Sequence, residues 1–272
     1  GSNVGGYVSS YDTDGFTATS GSLSNGSFNN SGDTYVAWNW KAGGTASSNG
    51  DGTITSSVSA NTTAGFSIAS YTGNATTGAT VGHGLSQAPE MLIVKQRDAT
   101  NHWSVLANSD PTDYLILNSD NATADDSVFW NDTNPSSSVF TLGNVNWVNG
   151  NTNTYIAYCF HSVEGYSKVG SYTGNNAADG TFIYTGFRPA WVMIKRSSNA
   201  ENWVIMDNKR NTYNWVGARL YPDLNNAEGS SENVDFVSNG FKMRSTNSVT
   251  NAASTYVYLA YAESPFKTSN AR

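Results

Sequence analysis

One five-residue sequence occurs twice and frames the interpretation of the whole chain. The sequence SYTGN occupies positions 70–74 and returns at positions 171–175. Residues around it recur as well, because Pro89, Lys95 and Trp103 each have an identical counterpart about 100 positions later. A period of this length matches one small domain. The sequence therefore predicts two tandem domains with the same fold.

A second repeated segment occurs three times. The sequences TYVAWNW at 34–40, TYIAYCF at 154–160 and TYVYLAY at 255–261 share an alternating apolar pattern, and their remaining positions are also mostly apolar or aromatic. Strands covered on both faces lie in the middle of a sheet. Because the first copy lacks a preceding SYTGN, we expect a partial repeat and a linker rich in Gly, Ser and Asn at 1–63. Residues 41–64, which are nearly all small and polar, are expected to form this linker or a long surface loop. Full repeats follow at 64–163 and 164–272, the second ending in a polar C-terminal tail.

The composition favours an all-β fold. Long runs of helix-forming residues are missing from the sequence, and turn residues separate about seven short β-type segments in each repeat. With 38% hydrophobic and 13% charged residues, the chain has enough apolar side chains for packed cores. We therefore predict two tandem β-sandwich repeats of about 100 residues, jelly-roll or lectin-like, plus the N-terminal partial repeat.

Charge and hydropathy exclude two classes of partner. The net charge is −7, with only 14 Lys and Arg residues, whereas binding to nucleic-acid phosphates needs clustered cations. No apolar run approaches the ~20 residues of a membrane helix, so membrane insertion is not expected. The single cysteine, Cys159, lies in an apolar run and is expected to be a buried small hydrophobic residue.

Three tryptophans lack a partner in the other repeat and are the candidate ligand-binding residues. They are Trp130, Trp147 and Trp215. Their polar neighbours are Asn131, Asp132, Asn146, Asn149 and Asn214. An exposed indole ring can stack on the apolar face of a sugar while amides and carboxylates bond its hydroxyl groups. The alternative is that each tryptophan caps the end of its own sandwich.

Acidic turns and histidines are the residues of this chain that could bind a metal ion. Asp12, Asp14 and Asp51 lie in Asp-Gly turns whose oxygen density suits calcium, although Asp-Gly is equally the sequence of ordinary tight turns. The three histidines are scattered and are expected at the surface or in turns. We therefore expect no cofactor, with calcium as the alternative.

Several carboxylates are candidates for a glycosidase pair. They are Asp125 with Asp126, and Glu228, Glu232 and Asp235. Glycoside hydrolysis requires two carboxyl groups at a defined separation across a groove. The linear sequence does not show that separation, and loops of sandwiches are rich in carboxylates. Catalysis is therefore the less favoured interpretation.

Longer motifs give the chain a family resemblance from about residue 14 to residue 272. They are TYVAW at 34–38 with KAG at 41–43, VGHGL at 81–85 before Ala88 and Pro89, FWND at 129–132, and AESPFK at 262–267. These motifs resemble an uncharacterised repeated domain of tail-fibre and other virion proteins of marine bacteriophages, which often stands beside lectin-like sandwich modules. The resemblance supplies no catalytic or binding residues.

The resemblance implies a function in the extracellular phage particle. The favoured expectation is a non-catalytic, tail-fibre-like module for host attachment and receptor binding, with a host cell-surface glycan or protein as its partner. The alternatives are a structural spacer of the fibre or capsid surface, and a virion-associated polysaccharide depolymerase. By analogy with phage fibres, the expected partners include other virion proteins and two further copies in a homotrimer.

Overall fold

A computed structural model describes residues 5–21, 29–108 and 110–265. These residues form twenty strands, all in antiparallel sheets, and two four-residue helices, so the all-β prediction is confirmed. The chain divides into two compact units, residues 1–40 and residues 41–272. No helix within the described ranges is long and apolar enough to cross a membrane. The predicted C-terminal tail from residue 267 lies outside the described residues.

The described residues of the first unit form one hairpin, made of β1 (Tyr7–Tyr11) and β2 (Phe16–Thr19). Its turn is closed by the Asp12 N–H, which donates to the Gly15 carbonyl at 2.8 Å. The segment 34–40, predicted as a strand, forms none and is mostly exposed. Its alternation matches the two other copies, but a strand is stabilised by packing against covered neighbours, which those copies have.

The second unit contains the remaining elements. The strands of its first half are β3 (Ser47–Asn49), β4 (Ser56–Asn61), β5 (Phe66–Thr72), β6 (Ala79–Gly82), β7 (Met91–Gln96), β8 (Trp103–Ala107), β9 (Asp113–Ile116), β10 (Ala124–Asp125), β11 (Val139–Leu142) and β12 (Thr154–Phe160). The helices are α1 (Ser127–Trp130) and α2 (Asn146–Asn149). The strands of its second half are β13 (Ser167–Thr173), β14 (Phe182–Tyr184), β15 (Pro189–Arg196), β16 (Val204–Asp207), β17 (Arg219–Leu220), β18 (Val234–Val237), β19 (Gly240–Met243) and β20 (Thr255–Ala262).

Both halves of the second unit order their strands in the same way. The large sheet of the first half runs β10-β9-β8-β7-β12-β5-β4-β3, and that of the second half runs β17-β16-β15-β20-β13. A smaller sheet accompanies each, β11-β6 in the first half and β14-β19-β18 in the second. The strands β12 and β20 lie inside their sheets, as their two apolar faces predict. The domain boundaries themselves stay predictions.

Part of the expected linker belongs to the first half. Residues 41–64 were expected to be a linker or surface loop, yet β3 and β4 fall within them and extend the eight-stranded sheet. The small residues of β4 still allow one face to be covered, since Ser56 and Val58 are buried. Composition alone missed this strand because its side chains are short and polar.

The repeated SYTGN sequence ends a strand and fixes a loop at the end of the sandwich. In the first half, the Tyr71 ring stacks on Tyr155 at 5.2 Å, and the Tyr71 hydroxyl donates to the Val148 carbonyl at 2.8 Å. The Tyr155 hydroxyl donates to the Asn146 carbonyl and accepts from the Gly150 N–H. Two buried phenols thus satisfy the backbone of the loop that contains α2.

The second half repeats this arrangement. Tyr172 stacks on Tyr256 at 4.9 Å and donates to the Thr250 carbonyl at 2.7 Å. The Tyr256 hydroxyl donates to the Ser248 carbonyl at 2.6 Å and accepts from the Ala252 N–H at 2.8 Å. The repeated sequence thus corresponds to the same pair of stacked tyrosines in each half.

Candidate functional site

Trp130, the first candidate for sugar stacking, is fully buried at the end of α1. Asn131 ends this helix in the left-handed region, with φ of 52°, and its N–H donates to the Ser127 carbonyl at 2.8 Å. Asp132 is exposed beside it. A buried indole offers no ring face to a ligand, so the expectation that Trp130 is an exposed stacking residue was wrong. The ring fills the first core instead.

Trp147, the second candidate, is half-buried in α2. Its ring lies 4.7 Å from the His102 ring and 5.6 Å, edge-on, from the Phe129 ring. Asn146 is exposed, whereas Asn149 is fully buried. Most of the Trp147 ring therefore faces protein neighbours, as in the alternative in which it caps its own sandwich.

The Asn149 amide is used entirely inside the protein. Its Oδ1 accepts from the Asn74 N–H at 3.0 Å, and its Nδ2 donates to the carbonyls of Thr76 at 3.0 Å and Gly143 at 2.8 Å. These bonds leave the side chain only limited capacity for a ligand. Asn251 does the same in the second half, which indicates a structural role for both residues.

Trp215, the third candidate, is 52% exposed in the segment between β16 and β17. Tyr213, two residues before it, is 85% exposed. Sequence reasoning missed Tyr213, although a second aromatic residue without a counterpart in the other repeat, on the other side of Asn214, was a usable signal. We name residues 208–218 the aromatic loop.

Polar side chains hold the aromatic loop in place from within. Asn211 Oδ1 accepts from the backbone N–H groups of Gly217 at 2.9 Å and Ala218 at 2.5 Å. Asn214 Nδ2 donates to the Phe236 carbonyl at 3.1 Å, and its Oδ1 accepts from the Phe236 N–H at 3.0 Å. Asn214, a predicted ligand-binding residue, therefore pairs with the backbone of β18 and directs its neighbours outward.

An ion-pair cluster fixes the start of the aromatic loop. The Arg210 guanidinium donates to the carboxylates of Asp207 and Glu228, each at 2.7 Å. Asp207 is buried, and the Arg210 charge together with backbone N–H groups outweighs that burial and lowers the pKa of Asp207. The loop thus presents two large rings to solvent from a framework tied to β16 and β18.

The other candidate carboxylates lie in different elements and have different bonding partners. Glu232 is fully buried and pairs with Arg219, and Asp235 pairs with Arg244 at 2.6 Å. Burial raises the pKa of Glu232 despite this arginine. Asp126 accepts from the Val128 N–H at 3.1 Å as the N-cap of α1, and Asp125 ends β10. Glu232 also accepts from the Thr250 hydroxyl at 3.0 Å and from Asn247 Nδ2 at 2.7 Å, so its oxygens are bonded inside the protein.

A cleft of about 280 Å³ lies between the two halves of the second unit. Polar side chains line much of it, among them Asp110, Asp113, Thr123 and Ser198. Burial and the nearby carboxylates of Asp110 and Asp125 raise the pKa of Asp113. A cleft of this kind can bond hydroxyl groups of a ligand, and the sequence alone did not indicate it.

The acidic turns belong to two different units of the chain. Asp12 and Asp14 belong to the hairpin of the first unit, where Asp12 Oδ2 accepts from the Thr17 hydroxyl at 3.0 Å. Asp51 belongs to the second unit and accepts from Asn49 Nδ2 at 2.9 Å. Among the described residues, no group of three His, Cys, Asp or Glu side chains is placed to hold a metal ion. Calcium binding stays a hypothesis.

The histidines and the cysteine are mostly interior. His83 is fully buried, where the expectation was a surface or turn position, and its ring bonds the Ser136 carbonyl and the Leu85 N–H. Burial lowers the pKa of His83. Cys159 is buried as predicted, and burial raises the pKa of its thiol to about 12. Cys159 therefore lacks the exposure and the lowered pKa of a reactive thiol.

Comparison with known proteins gives one match. No curated protein and no solved structure matches the chain. A family model, described as a domain of unknown function (DUF7483), matches residues 2–265. Because this match spans nearly the whole sequence, the chain belongs to the DUF7483 family.

Proposed function

We propose that this chain is a non-catalytic, tail-fibre-like module of a bacteriophage virion that binds glycans on the surface of the host cell. The phage context rests on the resemblance of its motifs to virion proteins. Glycan binding rests on one observation, the exposed rings of Tyr213 and Trp215 on the aromatic loop. The all-β architecture is compatible with this function but does not by itself select it.

The aromatic loop combines exposure with preorganisation. A large ring that stays exposed does not contribute the hydrophobic stabilisation that a buried ring such as Trp130 provides. The side-chain amides of Asn211 and Asn214 hydrogen-bond backbone groups and hold the loop with its rings facing outward. A loop already ordered pays less conformational entropy on binding. Tyrosine and tryptophan also carry polar groups beside an apolar face, which suits a pyranose ring.

The paired carboxylates support binding without turnover. Glu228, Glu232 and Asp235 each pair with a different arginine. A glycosidase pair requires two carboxyl groups facing one scissile bond. A carboxylate held by an arginine is less available for this role, which favours recognition over cleavage.

A binding panel tests the proposal. Purified chain is applied to bacterial surface polysaccharides and to whole marine bacterial cells, with and without a calcium chelator, and reducing ends are measured in parallel. We expect saturable binding to some members, no release of reducing ends, and no effect of the chelator. Chelator sensitivity would instead support calcium in the acidic turns. Absence of binding to every member would favour the structural-spacer alternative.

A second candidate function, polysaccharide cleavage, is favoured by the cleft between the halves. There Asp110 and Asp113 line one cavity, and the raised pKa of Asp113 is a property of general acids. Release of reducing ends that is lost in Asp113→Asn would establish this alternative. The same variant is expected to leave glycan binding at the aromatic loop unchanged.

A further inference from the structure

The two halves of the second unit meet through a head-to-tail junction, in which different surfaces of the two halves face each other. The Trp203 indole N–H donates to the Ile116 carbonyl at 2.8 Å. Lys195 Nζ and the Glu201 N–H both donate to the Asp120 carbonyl, at 3.1 Å and 2.7 Å. We name residues 116–123 of the first half the donor segment, because the first half donates this segment to the second half. The name refers to the inserted chain segment and not to hydrogen bonding, in which its backbone carbonyls are the acceptors.

Lys195 and Trp203 of the second half form the acceptor surface, which is the surface that receives the donor segment. Lys195 and Trp203 are both fully buried, and the Thr123 N–H and hydroxyl bond the Ser197 carbonyl at 2.9 Å and 3.0 Å. Burying a lysine is costly unless its ammonium group is bonded. Here Lys195 Nζ is bonded by the Asp120 carbonyl and by the Arg196 carbonyl at 2.7 Å.

The first half carries the same acceptor residues without a donor segment on them. Lys95 and Trp103 occupy the positions of Lys195 and Trp203, but both are only half-buried. Lys95 Nζ donates to the carbonyls of Gln96 and Ala99 within its own turn. The Trp103 ring stacks on Tyr158 at 6.4 Å, and its indole N–H has no bonding partner among the described residues.

The second half likewise carries an unused donor segment. Strand pairing makes Leu220 equivalent to Leu115. Leu220 lies opposite Ile205 of β16, and Leu115 lies opposite Val105, the corresponding residue of β8. The same alignment makes Asp223 equivalent to Asn118. The Asp223 side chain accepts from the Trp203 backbone N–H at 3.4 Å, and the Asn118 side chain accepts from the Trp103 backbone N–H at 2.9 Å. Asn225 then corresponds to Asp120.

This second donor segment lies at the surface. Residues 224–227 are exposed throughout, and Leu224 among them is a large apolar side chain. The Asn-Ala sequence at 226–227 repeats the Asn-Ala sequence at 121–122 of the first donor segment. The chain thus presents an open acceptor surface on one half and an open donor segment on the other.

We propose that the chain associates head to tail with a second copy of itself, the donor segment of one copy docking on the Lys95 and Trp103 surface of the next. A heterologous interface joins two different surfaces, so repeated association builds a ring if the rotation between copies closes and an open filament if it does not. The partner is the same chain because the equivalent residues Lys195 and Trp203 bond a backbone segment of the other half, whose strands have the same order.

Site-directed cross-linking tests this association. Asn101 and Asn225 correspond to Glu201 and Asp120, whose backbone hydrogen bond brings them within reach of a disulfide. Two full-length variants, Asn101→Cys and Asn225→Cys, are mixed under mild oxidation, one carrying a size tag. Native Cys159 is buried and does not compete. The intramolecular control is Asp120→Cys with Glu201→Cys in one chain, which should close completely.

The expected result is a mixed dimer at least about tenfold more abundant than either homodimer, as a preference of about 1.4 kcal/mol requires. A statistical mixture of dimers, or no dimer while the control closes, would overturn the proposal. Asn101 bonds Gln96, so Thr100→Cys, at an exposed neighbouring position, serves as a second acceptor variant if Asn101→Cys fails to fold.

Discussion

At the scale of single residues, two buried asparagines show how this fold turns a polar composition into a stable interior. Asn149 and Asn251 are fully buried, and each bonds three or more backbone groups of the loops at the end of its sandwich. A side-chain amide can replace the regular backbone pairing that irregular loops lack. Asparagine is thus a core residue at these two positions, not a surface one.

Replacing either amide should therefore cost considerable stability. Asn149→Ala and Asn251→Ala each leave several buried backbone groups without partners, so we expect the free energy of unfolding to fall by about 2–4 kcal/mol. Urea unfolding measures the change. Asn146→Ala, at an exposed position of the same loop, should change it by less than about 0.5 kcal/mol. Equal effects of Asn146→Ala and Asn149→Ala would contradict the structural role.

Lys195 gives stability a dependence on alkaline pH. Burial lowers its pKa to about 8, below the value of an unfolded lysine. Between pH 8 and about 10.4 the unfolded chain binds more protons at this residue, so stability should rise with pH in this window. The expected gain is of the order of 2 kcal/mol by pH 10.

Comparison with Lys195→Met isolates this effect. The raised pKa values of Cys159 and the buried tyrosines act in the opposite direction in both proteins, and they cancel in the difference. The stability of wild type relative to Lys195→Met should rise between pH 8 and pH 10 in chemical unfolding. A flat difference would show that Lys195 titrates as an ordinary lysine.

At the scale of elements, the SYTGN sequence is the end of a strand that must pass very close to another backbone. A Cβ atom added at Gly73 would lie 2.4 Å from the Gly150 carbonyl oxygen, and one at Gly174 would lie 2.1 Å from that of Ala252. Both obstacles are backbone and cannot rotate away. The close approach lets the N–H groups of Gly73 and Gly174 each bond a loop carbonyl at 2.9 Å.

Alanine at these glycines should displace the loops that the tyrosines hold. We expect Gly73→Ala and Gly174→Ala each to lower the free energy of unfolding by about 2 kcal/mol or more, as overpacking does. Gly50→Ala is the matched control, because nothing lies within 4 Å of its added Cβ. Thermal unfolding of the three variants compares them, and unchanged stability of Gly73→Ala would refute the close approach.

The elements also show what could be predicted from the sequence. The alternation in 154–160 and 255–261 predicted central strands because both faces are apolar, and β12 and β20 confirm it. The same alternation at 34–40 was misleading, since a strand also needs a partner that no local pattern encodes. Trp130 was expected at the surface because it has no counterpart in the other repeat, but a single helical turn carries it into the core.

At the scale of the whole molecule, the contact between the halves decides which repeated residues are interior. Trp103 and Trp203 are equivalent in sequence and differ in burial because only Trp203 meets the other half. Such a difference depends on tertiary contacts and could not be predicted from the repeat. The exposure of Tyr213 and Trp215 also depends on tertiary contacts. It is set by hydrogen bonds from backbone N–H groups to the side chains of Asn211 and Asn214.

Because of the junction, Trp203 should contribute more to the free energy of unfolding than its counterpart Trp103. Trp203→Phe removes the indole donor from the buried Ile116 carbonyl and leaves a small cavity, so we expect a loss of about 2–3 kcal/mol. Trp103→Phe removes no such hydrogen bond and should cost clearly less. Urea unfolding of both variants measures the difference. Equal losses would mean that the junction contributes nothing beyond packing within each half.

The central claim is that the aromatic loop binds glycans through the rings of Tyr213 and Trp215. The most direct test is calorimetric titration of the tightest polysaccharide from the binding panel into wild type, Tyr213→Ala/Trp215→Ala and the control Tyr184→Ala, whose ring is exposed on β14. Loss of two stacking rings should weaken affinity by about 30-fold or more, roughly 2 kcal/mol, while the control binds as wild type does. Unchanged affinity of the double variant, or equal loss in the control, would contradict the claim.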